Sequence, residues 1–377
     1  MVHRFDKGTV KNSRQSHNKV HRARRGSPPR RPWCRRLQQA AAAAAALAAL
    51  GQGAPAVALP CARSLTWSKL WEQQLPSRDP AGHTIGGFSA IRFDAASRQL
   101  WLLSDLPEAP ISRWSAPTAA APPLLVVSLQ TTGGPGPLDG EGLVLAGDQL
   151  WIASEGRRSA ERPALLLRLS RSDARVLQAV ALPEDWQPAD GRGLGSNAGP
   201  ESLTALHASD QPLELLMAAE RPLLQDPPQQ VRLLRWSWPR GIDPRRAAPI
   251  ARPQGALALP DATPWGVTDL VALPATAGQP TLLLALLRRY EPPNSWQNRL
   301  LLYALPLPGQ VAPPLRQWDL QQLGLTPENW EGLTLGPVLR GGQISLLLVS
   351  DDNLNPLQTS RLAMLAASAT PPCRTAP

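Results

Sequence analysis

Asn329-Trp330-Glu331-Gly332-Leu333-Thr334-Leu335 and, after a turn, Leu346-Leu347-Leu348-Val349-Ser350-Asp351 make up a phrase that returns along the chain. It runs from a turn entry through a polar residue into an apolar strand, then into a second apolar strand that ends on an acid. One copy upstream is Gly86-Gly87-Phe88-Ser89-Ala90-Ile91 with Leu100-Trp101-Leu102-Leu103-Ser104-Asp105, and the next is Asp139-Gly140-Glu141-Gly142-Leu143 with Leu150-Trp151-Ile152-Ala153-Ser154-Glu155. The third is Ala198-Gly199-Pro200-Glu201-Ser202-Leu203 with Leu215-Leu216-Met217-Ala218-Ala219-Glu220, and the fourth Gly266-Val267-Thr268-Asp269-Leu270 with Leu282-Leu283-Leu284-Ala285-Leu286-Leu287-Arg288. The polar position falls at Ser89, Glu141, Glu201, Thr268 and Glu331, in steps of 52, 60, 67 and 63 residues.

Further short apolar runs, such as 164–169 and 176–182, lie between the copies and are bounded by polar or Pro-rich turns. Four short strands per repeat of this length make a blade of a β-propeller. An all-β chain with a single propeller of six blades, one of them degenerate, is expected, with five the alternative. Two packed β-domains are the rival reading. The Pro-rich patches at 116–123, 226–228 and 306–314 are short, however, and the repeat runs across all of them. One domain over 59–377 is therefore expected, after a leader at 1–58.

The charge supports that division. The chain of 377 residues has a formal net charge of +10, yet residues 1–58 hold twelve Lys/Arg against the single acid Asp6. That leaves 27 basic and 28 acidic side chains in 59–377, with Lys69 the one lysine. A phosphate-backbone partner needs a cationic face, so nucleic acid is set aside. In the leader, basic residues ending Arg35-Arg36 precede an Ala-rich run over 37–50 and then Ala56-Val57-Ala58, the pattern of a signal peptide cleaved after Ala58. A periplasmic or secreted monomer without a stable membrane span follows. Of the three cysteines, Cys34 leaves with the leader, and Cys61 and Cys373 are free to pair as a clasp between the termini.

In a propeller the first strand of each blade lines the channel. Glu141, Glu201 and Glu331 would then converge, with Asp105, Glu155, Glu220, Asp351 and Asp352 emerging at the same end. Hard oxygen ligands without His or Cys select Ca²⁺ or Mg²⁺. The alternative is that each acid caps a turn or pairs with an arginine such as Arg192 or Arg289. Other chemistries lack residues: 59–377 has two histidines, His83 and His207, and no Gly-x-Ser-x-Gly elbow or Walker loop. Trp101 and Trp151 recur at equal places and read as core.

These phrases, together with Ser350-Asp351-Asp352-Asn353, resemble the phytase-like domain of exported bacterial proteins described as esterase-like members of the phytase family. The resemblance covers nearly all of residues 65–368. It implies a β-propeller and, by more distant analogy with propeller phytases, Ca²⁺-dependent hydrolysis of phosphate esters or related esters. It implies Glu141, Glu155, Glu201, Glu220, Glu331, Asp351 and Asp352 as metal ligands, with Asp105, Asn197 and Asn353 beside them. Glu201, Glu331, Arg192 and Arg289 would be catalytic, the two arginines gripping the phosphate. The chain departs from the pattern at Leu106, at Pro200, and at Arg288, which stands where an acid is usual. A non-catalytic propeller that binds a ligand or partner in the cell envelope stays open beside the enzyme.

Overall fold

The structure is a computed structural model that describes residues 65–157, 162–206, 212–274, 280–293 and 295–368. The chain divides into Met1–Ala56, which lies outside these residues, and Val57–Pro377, which holds the fold. Cys61, Cys373, His207 and the leader with its cleavage point also lie outside the described residues.

Strand β1 (Trp67–Gln74) is followed by five antiparallel blades. Blade 1 holds β2 (Phe88–Asp94), β3 (Gln99–Ser104), β4 (Ile111–Trp114) and β5 (Leu125–Leu129). In blade 2 are β6 (Gly140–Ala146), β7 (Gln149–Ser154), β8 (Leu165–Ser170) and β9 (Val176–Ala181). Blade 3 has β10 (Pro200–Ala205), β11 (Glu214–Ala219), β12 (Gln230–Ser237) and β13 (Ile250–Ala258). Blade 4 consists of β14 (Gly266–Ala272), β15 (Leu282–Glu291), β16 (Ser295–Ala304) and, past a short β17 (Val311–Ala312), β18 (Arg316–Asp319). The last blade has β19 (Asn329–Leu335), β20 (Ser345–Asp351) and β21 (Arg361–Ala367), and takes β1 as its outer strand.

The second strands are apolar at nearly every position because both of their faces are covered. Leu346 and Leu348 of β20 pack toward blade 4, while the alternate residues Leu347 and Val349 pack toward blade 1. Likewise Leu284 and Leu286 of β15 face blade 5, and Leu283, Ala285 and Leu287 face blade 3. A strand with period-two side chains and two buried faces must read as a continuous run. Five apolar clusters result, one in each gap between neighbouring blades. Each fully buried leucine contributes roughly 1.5–3 kcal/mol, so the ring is held by its gaps.

The fold is the expected all-β propeller, and the blade count is five rather than six. The five copies of the phrase are the five blades, and among the described residues no degenerate sixth sheet forms. The spare length goes into additions to the blades. β17, from the connection within blade 4, lies parallel on β13 and makes blade 3 five-stranded. Helical structure among the described residues is limited to two three-residue 3-10 turns, Glu184–Trp186 and Arg340–Gly342. No helix there is long and apolar enough to cross a membrane.

Candidate functional site

In every blade the ladder between the first and second strands skips one residue, and it is the residue of the polar position. Phe88 pairs with Ser104 and Ala90 with Leu103, so Ser89 has no partner. The same step leaves out Glu141, Glu201, Thr268 and Glu331 in the other blades. A bulge leaves its extra residue unpaired and re-aims its side chain. Five equivalent bulges thus turn one residue per blade out of the regular pleat, beside the acids that end the second strands.

Where those acids meet, the cation is Arg288. It ends the apolar run of β15, the place that Asp105, Glu155, Glu220 and Asp351 take in the other blades. Its guanidinium pairs with Glu331, stands 3.3 Å from Glu220 and 3.5 Å from Glu201, and donates to Asn329 Oδ1 at 2.8 Å. Asn329 in turn donates to Glu331 at 2.9 Å and to Asp351 at 3.1 Å. One arginine therefore ties acids of blades 3 and 5 to blade 4.

The acids outnumber this cation, and their protons are held accordingly. Burial pushes the Glu331 carboxyl up to about 8, against the opposing pull of Arg288. Burial and the nearby Asp351, Asp139 and Asp352 push Asp105 up to about 7. Glu155 is also raised to about 7 by burial, although the Gly199 amide donates to it at 2.7 Å, and Asp351 is raised to about 6. Burial, with Glu201 and Glu331 next in weight, lifts Glu141 well above the usual carboxyl range, and burial with Glu220 lifts Glu201. Desolvation and like charge act in the same direction here.

One layer further along the first strands, Arg92 of β2 meets Asp269 of β14 in a bidentate ion pair of 2.7 and 3.0 Å. The same guanidinium donates to the carbonyls of Leu203 and Leu333, which brings in blades 3 and 5. Asp269 is 0% exposed and also accepts from the amides of Leu270 and Leu333 at 2.8 Å. A buried ion pair thus spans the axis beneath the acid ring.

Sequence reasoning gathered Glu141, Glu201, Glu331, Asp105, Glu155, Glu220 and Asp351, and the structure brings these together. Asp352 lies at the ring's edge, where it accepts from the Gly87 amide at 2.9 Å. Asn353 turns its side chain to Gln358, while its amide donates to Asp351 at 2.8 Å. Asn197 lines a cavity of about 280 Å³ that also holds Glu155 and Arg157. Arg289 pairs with Glu291 and Gln297 and stacks 5.3 Å from the Trp265 ring. Arg192 is exposed in a bridge with Ala189. Arg288, Arg92 and Asp269 were not singled out for these roles. For Arg288 the signal was present, since it interrupts the run of acids.

The carboxyl oxygens are the donor set that a hard cation such as Ca²⁺ or Mg²⁺ takes. Glu141 and Asp105 carry no cationic partner of their own among the described residues. As the side chains stand, no three carboxylates among the described residues surround one point closely enough to hold an ion.

Comparison with known proteins gives one family match. The family model described as "Phytase-like: Esterase-like activity of phytase" matches residues 83–354. No curated protein matches the chain. Among solved structures, the catalytic domain of a Coprinopsis cinerea GH62 α-L-arabinofuranosidase is 12% identical, covers 83% of this chain and 100% of that one, and superimposes with a TM-score of 0.44. A Bombyx mori GH32 β-fructofuranosidase mutant in complex with sucrose is 10% identical over 87% of this chain and 65% of that one, with a TM-score of 0.44. The N-terminal domain of Nup159 is 10% identical over 82% and 98%, with a TM-score of 0.36.

Proposed function

The chain belongs to the phytase-like family, and we propose that it is a hydrolase of phosphate esters or related esters, working among the carboxyls gathered around Arg288. The observation that carries this reading is the gathering of buried carboxyls from several blades about one arginine, where desolvation raises their affinity for protons. Asp105 and Glu155 stand at about 7 and Glu331 at about 8. A general acid or base works best with a pKa close to the operating pH.

Glu155 is the ring acid that faces a cavity, together with Arg157 and Asn197. In its protonated form it would give a proton to the departing oxygen of an ester, while Arg157 would hold the anionic end of the substrate. The Gly199 amide fixes the Glu155 carboxyl for that task. Arg288 donates to Glu331, Glu220 and Asn329, so it holds the acids in place rather than gripping substrate.

Ca²⁺, with Mg²⁺ as the alternative, would be held by Asp105, Asp351, Asp352 and Glu141 only if their carboxyls turned toward one point, which they do not share as they stand. When bound, the ion would offset their repulsion and polarise an ester oxygen. The leader over 1–58 supports export to the periplasm or the medium, and the neutral body a small-molecule substrate rather than nucleic acid. The second reading is a non-catalytic binding propeller, since Arg288 is already engaged by Glu331, Glu220 and Asn329 rather than turned to a substrate.

Turnover of p-nitrophenyl phosphate with and without Ca²⁺ separates the two. The enzyme reading expects turnover that falls about 100-fold or more in Glu155→Gln. A protein that is stabilised by Ca²⁺ but leaves the ester untouched is a binding propeller.

A further inference from the structure

Next to the acid ring, but outside it, the segment before β2 folds into a tight turn closed by a bridge between Arg78 and Thr84. Asp79 is fixed at its base. Its Oδ1 accepts from the amides of Ala81 at 2.9 Å and His83 at 2.8 Å, and its Oδ2 lies 2.9 Å from His83 Nδ1. The backbone closes the same loop, with Asp79 N donating to the His83 carbonyl and Gly82 N to that of Asp79. The hydrogen bond from His83 holds the Asp79 carboxyl below its ordinary range, so it is ionised and can only accept. The shared proton therefore sits on Nδ1, which leaves Nε2 as the ring nitrogen not engaged by Asp79. The imidazole is 79% exposed, so Nε2 can exchange a proton with water.

The pair stands at the rim of a cavity of about 440 Å³ between this turn and blade 1. Phe88, Leu106 and Pro110 give the cavity an apolar patch, and Ser104, Ser112 and Ser128 add hydroxyls. No Lys or Arg lines it. Behind Gly86 is a carboxylate: a Cβ there would lie 2.6 Å from both Asp352 oxygens. An anion would be repelled from such a wall, whereas a neutral molecule with an apolar arm would not.

The geometry points to a second catalytic site, in which His83, oriented by Asp79, acts as general base on a neutral carboxylic ester bound in this cavity. Nε2 takes a proton from water as the water oxygen bonds to the acyl carbon. The acyl carbon to alkoxy oxygen bond then breaks, and the imidazolium returns the proton to the departing oxygen. Ester and water become acid and alcohol, with no other reactant. Asp79 keeps the ring in the required tautomer and stabilises the imidazolium, a positioning role. Neither His83 nor Asp79 touches the ring around Arg288, and the two sites meet only at Asp352 behind Gly86, so a phosphate esterase and this activity can be gained or lost separately.

The test is hydrolysis of p-nitrophenyl acetate by the exported protein, followed to saturation. His83→Gln should lower kcat at least 100-fold, and Asp79→Asn should lower kcat with little change in KM. Neither change touches the core, so folding is preserved. Ser128→Trp, on the exposed lining, should raise KM while leaving His83 in place, an effect that a freely acting surface imidazole would not show. The inference is overturned if the wild type does not hydrolyse the ester, if His83→Gln keeps the wild-type rate, or if Ser128→Trp leaves KM unmoved.

Discussion

Arg92 and Asp269, 177 positions apart in sequence, form a bidentate ion pair across the axis of the propeller. The same guanidinium also donates to carbonyls of Ile91, Leu203 and Leu333. Such a pair stabilises little over well-packed apolar residues, but losing one partner strands a buried charge. Asp269→Asn should therefore destabilise the protein by about 3–5 kcal/mol, measured by urea unfolding. The double change Arg92→Met with Asp269→Leu should cost clearly less than Asp269→Asn alone. Equal costs would show that the pair acts independently of charge.

The acid ring makes a prediction about pH. Glu331, Asp105, Glu155 and Asp351 all bind their protons more tightly in the folded chain than in the unfolded one. The folded state holds the extra protons from the ordinary carboxyl range, near pH 4, up to about pH 8, so stability falls as pH rises through that window. The contribution is complete below the ordinary carboxyl pKa and lost once the folded values of about 6 to 8 are passed. In metal-free buffer the melting temperature should be lower at pH 8.5 than at pH 5.5. Glu331→Gln should flatten the profile. A melting temperature that rises over this range contradicts the prediction.

Gly199 ends the entry to blade 3 against Glu155. A Cβ at this glycine would lie 2.4 Å from Glu155 Cγ and 2.8 Å from its carbonyl oxygen. Gly199→Ala must push the acid away and break its 2.7 Å hydrogen bond. The expected cost is about 1–3 kcal/mol, together with a change in the apparent pKa near 7 assigned to Glu155. Chemical denaturation and carboxyl titration by NMR would read the two effects.

The ring is closed by β1 on β21, where Trp67, Ser68 and Lys69 pair with Ala367, Ala366 and Leu365. Cys61 and Cys373 flank these two paired strands in the sequence. Both cysteines lie outside the described residues, and their pairing is a proposal. A bond closing a loop of roughly 310 residues would add at most about 5–6 kcal/mol on the chain-entropy model. Non-reducing peptide mapping of exported protein, which should begin at Leu59, is expected to recover the linked pair. Two free thiols would exclude the clasp.

The strand phrase and its five copies were legible because each depends on neighbours in sequence. Alternating residues of β20 must be apolar when both faces are covered, and the polar residue at the bulge is set off from its flanks in every copy. Blade number was less legible, since added length in a loop and a degenerate blade look alike in spacing. β17, which joins blade 3 from within blade 4, is length of that kind.

Sequence alone determined the propeller and the set of acids that share one end of it, because a period-two pattern and a repeated polar position fix which side of each strand a residue takes. Tertiary structure alone decided how the charge is balanced. Arg288 faces acids contributed by blades 3 and 5, and Arg92 finds Asp269 across the axis. Such partners are assigned only when the closed ring brings distant strands together, and burial then sets how tightly each carboxyl holds its proton.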